Sequence, residues 1–349
     1  MKTQVSNWKS LLLSLLLIVG VSFSASAQEV SKKVTGNYEV TGDYNLGIEN
    51  KYGQIEILNW NKSELDVVVD ITVGAKSEKK ALEVLEEISI DIDESYDGVY
   101  FTTDFGKIRM NNVDIDVNYT VKMPVQVNVL LSQKYGDLFI QEVAGLADLT
   151  VKYGSLKVNA LTRGDAEPWN TVDLAYGNGS IENAGYMSLD IAYSELTLTE
   201  SEALNIENAY SKVFGEKAGL INTEGHYDQY NFETVESFDA ELKYSGIKIG
   251  TLQKRLDVDL AYTNAKIGTV QSGFDRISVE AQYGNVKAGL DPDASFTVDA
   301  QAKLGNIRLP EGDLVYDRDK TALGVSGSVG KNPGSIVSVN IEYGNFELK

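Results

Sequence analysis

The chain has no cysteine, one histidine and five prolines in 349 residues. The lack of cysteine excludes disulfide frameworks, thiolate metal sites, cysteine nucleophiles and lipoprotein acylation. Basic residues are scarce as well, 31 against 51 acidic ones. That balance repels nucleic acid and anionic lipid, so neither is expected as a partner. Long apolar runs are missing after residue 19, which leaves no candidate transmembrane segment in the mature chain. The exception at the N-terminus, Leu11 to Val19, follows Lys2 and Lys9 and precedes Ala25-Ser26-Ala27. This pattern predicts a cleaved secretory signal over residues 1–27, so the protein is expected in the periplasm, on the outer cell surface or secreted.

What the sequence has in abundance is tyrosine and glycine, in a recurring phrase. An aromatic residue, a small or turn residue and an alternating strand return as Lys51-Tyr52-Gly53-Gln54-Ile55, Lys134-Tyr135-Gly136-Asp137-Leu138 and Lys152-Tyr153-Gly154-Ser155-Leu156. Later copies are anchored on Tyr176, Tyr193, Tyr210, Tyr227, Tyr244, Tyr262, Tyr283 and Tyr343, with Phe105 and Leu304 in degenerate ones. From Tyr135 to Leu304 the spacings are 18, 23, 17, 17, 17, 17, 18, 21 and 21 residues. A near-constant period of this size marks stacked coils, each too small to bury its own apolar face. The predicted fold is all-β, a single-stranded β-solenoid of ~17–21-residue coils with an N-terminal α+β cap. In Leu256-Asp257-Val258-Asp259-Leu260-Ala261-Tyr262 the anchor shares parity with Val258 and Leu260, which predicts a buried tyrosine ladder.

Residues 28–131 depart from the repeat, with longer strands and a helix over Glu78 to Ile88 capped by Ser77, and read as the capping segment. Residues 132–309 are the solenoid repeats. The 39-residue gap from Leu304 to Tyr343 leaves room, within residues 310–349, for a glycine-rich flap and a closing coil at the C-terminal end.

The stretch Tyr119-Thr120-Val121-Lys122-Met123-Pro124, followed by Gly136-Asp137-Leu138 and Gly154-Ser155-Leu156, resembles the bacterial putative adhesin domain family of unknown function. The resemblance extends over most of the mature chain, to the turn near Gly327 and the strand Gly344-Asn345-Phe346-Glu347-Leu348. Auto-transporter adhesin head domains are similar in the same places. The resemblance implies a β-solenoid at the cell envelope and supplies no catalytic residues.

The residue three before the anchor is acidic on seven successive coils: Asp173, Asp190, Glu207, Glu224, Glu241, Asp259 and Glu280. Two residues earlier, on the same face, stand Thr171, Ser188, Asn205, Asn222, Asp239, Asp257 and Ser278, each with a side-chain oxygen. Carboxylates ~4.8 Å apart repel by roughly 1 kcal/mol per neighbour even in bulk water. Calcium, with its preference for six to eight oxygens, or a basic partner is therefore a candidate ligand of this column; the alternative is a hydrated face that keeps the protein soluble.

The 23-residue coil from Tyr153 to Tyr176 inserts Arg163-Gly164-Asp165-Ala166-Glu167-Pro168-Trp169-Asn170, a candidate partner-binding loop through Arg163, Asp165 and Trp169 that is expected to be dispensable for folding. Asp291-Pro292-Asp293 reads as a turn that could hold a cation. His226 occupies a position filled by alanine in neighbouring coils, and no Gly-x-Ser-x-Gly elbow accompanies it, so a serine triad is not supported. The expected function is a non-catalytic, adhesin-like binding protein of the cell envelope or surface whose partner is a glycan or an envelope or surface protein. The alternatives are a carbohydrate-active solenoid enzyme, which would need only a pair of carboxylates, and a structural or envelope-stress accessory protein of the periplasm.

Overall fold

The computed structural model describes residues 24–25, 28–107 and 112–349. Most of the predicted signal segment lies outside the described residues. Strands occupy 73% of the chain and helix 3%, which makes it an all-β protein. No helix among the described residues is long and apolar enough to cross a membrane.

The repeat is realised as parallel pairing between successive copies. Strand Asn178–Ala192 pairs with Glu195–Ala209, that strand with Lys212–His226, then with Gln229–Lys243 and Gly246–Ala261. The register places each residue opposite the equivalent position of the next coil, as in Asn178↔Glu195 and Glu195↔Lys212. Alternation puts Leu196, Leu198, Leu204 and Ile206 inside with the corresponding residues of every other coil. Backbone pairing and apolar burial thus run continuously along the stack, so it holds together without disulfides.

The tyrosines do not enter that core. From Tyr135 to Tyr343 they are 44–51% exposed, and all eleven from Tyr52 onward have φ between +52° and +63°. The expectation of a buried ladder fails for this reason. A left-handed residue turns its side chain out of the strand's alternation, so the parity step falls on the anchor itself and the next residue faces inward. Each such φ costs roughly 1–2 kcal/mol in a non-glycine residue. Stacking offsets it. Consecutive rings from Tyr135 to Tyr343 lie 4.7–5.1 Å apart and within 10° of parallel, and Tyr52 joins the row at 5.6 Å.

The residue after the anchor therefore meets its neighbours across a tight coil-to-coil approach. A Cβ on Gly154 would lie 1.8 Å from the carbonyl oxygen of Gly136, and one on Gly344 1.8 Å from that of Gly284. In the middle coils this position is Ser194, Ser211, Asp228, Ser245 and Thr263, all buried, and their side chains build an internal ladder. The amide N–H groups of Gly177, Ser194, Ser211, Asp228 and Ser245 each donate to the side-chain oxygen of the next coil, at 2.9–3.1 Å.

The N-terminal segment combines coil and cap. Asn45–Asn59 pairs in parallel with Asn128–Val143, so the stack begins there, earlier than the expected boundary at residue 132. Gln28–Glu39, Glu64–Ala75 and Val113–Met123 form an antiparallel sheet, and the helix Glu78–Glu87 starts at Ser77, whose hydroxyl accepts from Lys80 N–H. Lys32 donates to the carbonyls of Leu85 and Ile88, satisfying the helix C-terminus.

The expected closing coil does not sit at the end. Strand Ser335–Glu342 lies between Arg276–Gln282 and Phe296–Lys303, parallel to both. The outermost coil is Phe296–Arg308, covered by the antiparallel hairpin Asp313–Arg318 and Ala322–Val329. The 39-residue excursion lets the chain leave, cover the edge and return beneath it, which blunts an otherwise free sheet edge.

Candidate functional site: an acidic groove

The carboxylate column is assembled as the spacing implies. Strand register places Asp173, Asp190, Glu207, Glu224, Glu241, Asp259 and Glu280 opposite one another in succession, followed by Asn340. Thr171, Ser188, Asn205, Asn222, Asp239, Asp257 and Ser278 form the parallel column two residues away. Between the first four members of each runs a shallow groove of about 460 Å³. Its floor is backbone of strongly paired strands, so the groove is rigid.

Compensation reaches only part of the column. Lys152 Nζ lies 3.0 Å from Asp173, Lys243 lies 3.7 Å from Glu241, and Arg255 contacts Asp239 at 3.0 Å and Asp257 at 3.6 Å. Asp190, Glu207 and Glu224, and beyond Glu241 also Asp259 and Glu280, have no ion-pair partner among the described residues. Partial burial, then the neighbouring Asp173 and Glu207 charges, push the Asp190 carboxyl above its ordinary range, against the opposing pull of Lys152. Burial also raises Asp239, opposed by Arg255. Among the described residues no three His, Cys, Asp or Glu side chains come together in an arrangement that could hold a metal ion. Stacked coils send their carboxylates out side by side, where a metal cage needs them to converge.

The inserted loop contributes differently from expectation. Asp165 is exposed, but Arg163 is half-buried and its Nε donates to Pro168 O at 3.3 Å. Trp169 packs edge-on against Tyr186, with ring centroids 5.2 Å apart. Together they border the Thr171–Ser188 end of the groove. Asn170 is fully buried and its Oδ1 accepts from Ala147 N–H at 3.0 Å, so the last residue of the insertion belongs to the core. Asp291 to Asp293 forms a turn, with Asp293 N–H donating to Asp291 Oδ1 at 2.9 Å.

Two features were not anticipated from the residues: the Trp169–Tyr186 contact and the internal hydroxyl ladder. The ladder had a signal, the run Ser, Ser, Asp, Ser, Thr after successive anchors, which reads equally well as turn chemistry. The exposed tyrosine row is no sugar platform, because each ring face is covered by the next ring and solvent meets only edges and hydroxyls.

No family model matches the sequence, and no curated protein matches it. Among solved structures it is similar to a putative adhesin from Bacteroides fragilis NCTC 9343, with 11% identity over 91% of this chain and 97% of that chain and a TM-score of 0.26. A putative adhesin from Parabacteroides distasonis ATCC 8503 shows 13% identity over 91% and 97%, with a TM-score of 0.25. A putative lipid binding protein from the same organism shows 9% identity over 91% and 96%, with a TM-score of 0.30. Likenesses this distant leave the reading of the site to its own geometry.

Proposed function

We propose that this chain is a single-stranded β-solenoid that serves as a non-catalytic, adhesin-like binding protein of the bacterial envelope or surface, and that its acidic groove docks an extended basic segment of a protein partner. The observation that carries this reading is the register of four carboxylates along the groove, three of which, Asp190, Glu207 and Glu224, have no ion-pair partner among the described residues. A cationic segment laid along the column relieves that repulsion, and Trp169 and Tyr186 offer an apolar contact at one end. Nothing in the groove marks one carboxylate pair as acid and base, since the same group recurs coil after coil.

The reading is tested with a lysine-rich peptide as probe, titrated calorimetrically into the wild type and into a Glu207→Gln/Glu224→Gln variant. Binding that weakens with salt and falls about tenfold in the variant, the equivalent of ~1.4 kcal/mol, supports the groove. Equal binding by both proteins refutes it. Cell fractionation with surface proteolysis tests the location.

A further inference from the structure

The opposite sign of charge collects on a different face, on the strands that follow the tyrosines. Register stacks Phe214, Asn231, Lys248, Lys266 and Lys287 in one outward column, continued by Glu347 and Arg308. The three lysines are exposed, and Lys248 and Lys266 have no ion pair among the described residues. Lys287 lies 3.4 Å from Glu347, which Arg308 and Lys349 also contact, so the single acid at this end is shared among three cations.

The lanes on either side of the lysines change with them. On one side Glu216 and Glu233 stand on the preceding coils, and Gly250, Gly268 and Gly289 replace them on the coils that carry the lysines. Negative charge and side-chain bulk therefore end where the lysines begin. On the other side Asn264, Asn285 and Asn345 form an amide ladder: Asn264 Oδ1 accepts from the N–H and Nδ2 of Asn285, and Asn285 Oδ1 accepts from those of Asn345, at 2.8–3.2 Å. Lysines, amides and the half-buried Phe214 border a shallow depression of about 510 Å³.

We propose that this strip is a second binding surface, and that its ligand is a linear polysaccharide bearing carboxylates. Ammonium groups at the coil spacing meet the carboxylates, the asparagine ladder meets hydroxyls, and the Phe214 ring meets the apolar face of a sugar. An acidic peptide fits less well, because its carboxylate side chains bring neither the hydroxyls for the asparagine ladder nor the flat apolar sugar face for Phe214. The acidic groove is built from the residues that precede the tyrosines, at the opposite end of each strand, and at physiological ionic strength its field is screened beyond a Debye length of ~8 Å.

The experiment measures binding of full-length mature protein to immobilised polygalacturonate, with neutral dextran, dextran sulfate and duplex DNA as comparisons. Expected is salt-sensitive retention on polygalacturonate, none on dextran, and a loss of at least tenfold in Lys248→Glu/Lys266→Glu/Lys287→Glu. A Lys→Gln triple variant should show an intermediate loss, and both should melt as the wild type does. The Glu207→Gln/Glu224→Gln protein should retain full binding, which separates this surface from the acidic groove. Retention on dextran sulfate or DNA without polygalacturonate overturns the ligand class. Unchanged polygalacturonate binding in the lysine variants overturns the site. Sedimentation velocity that shows a wild-type oligomer dispersed by the lysine substitutions overturns the proposal in favour of a second copy as occupant.

Discussion

Replacing Asp228 by serine should stabilise this protein at neutral and alkaline pH. Asp228 is fully buried in the hydroxyl ladder, where Ser194, Ser211, Ser245 and Thr263 fill the equivalent positions. Its Oδ1 accepts from Ser211 N–H at 2.9 Å, a bond that serine makes on neighbouring coils, while Oδ2 is buried without a partner. Burial pushes the carboxyl up to about 6 from 3.8, in spite of the Ser211 hydrogen bond and the nearby His226. A raised folded-state value means that the native protein holds this proton more tightly than the unfolded chain. The group is therefore neutral in its effect below about pH 4, and stability falls as pH rises from there through 6. Above pH 6 the penalty is constant, about 3 kcal/mol for a shift of roughly two units. The substitution removes it. Thermal melts of wild type and Asp228→Ser across pH 4–8 should diverge with rising pH, the variant melting higher by several degrees at pH 8 and nearly equally at pH 4. The other carboxylates titrate in both proteins and cancel in the difference. A variant that melts no higher than wild type at pH 8, or a gap independent of pH, would refute the argument and mean that Asp228 is solvated or paired in the fold.

The tyrosine row should behave as a stacked surface feature. Tyr244→Ala loses its stacks with Tyr227 and Tyr262 but keeps the strained φ of +54°, and should cost ~1–3 kcal/mol, while Tyr244→Gly relieves the strain and should cost ~1 kcal/mol less; the order of the two melting temperatures checks this. Deleting Gly164 to Pro168 should leave the melting temperature nearly unchanged, whereas Asn170→Ala should cost ~1–3 kcal/mol by leaving Ala147 N–H unsatisfied. Changing Glu207, Glu224 and Glu241 together to glutamine should raise the melting temperature at low salt and converge with wild type at high salt, as repulsion is screened. Calcium and sodium at matched ionic strength should stabilise the wild type alike, since no three carboxylates converge; a rise specific to calcium would shift the groove's ligand to a divalent cation.

Much of this architecture is written in local pattern. The 17-residue period, the alternation in segments such as Leu256 to Leu260 and the acid three residues before the anchor on seven successive coils determine that copies stack in register, because only that register buries every apolar position and pairs every backbone group. The acidic column follows at once, since residues at equal repeat positions must stand above one another. The Ser77 cap is equally local, one hydroxyl bonded to an amide three residues on. The tertiary structure decided what a single strand cannot express. Tyr262 shares parity with Val258 and Leu260, but a left-handed φ reverses it, and the backbone bonds and stacked rings that accompany that φ come from other coils. The internal ladder at Ser211 and Asp228 exists because each side chain meets the amide of a residue 17 positions away. The place of Ser335–Glu342 inside the stack was likewise undetermined by its sequence, which suits a terminal coil just as well; only the hairpin that covers Phe296–Lys303 makes the inner position the one that leaves no bare edge.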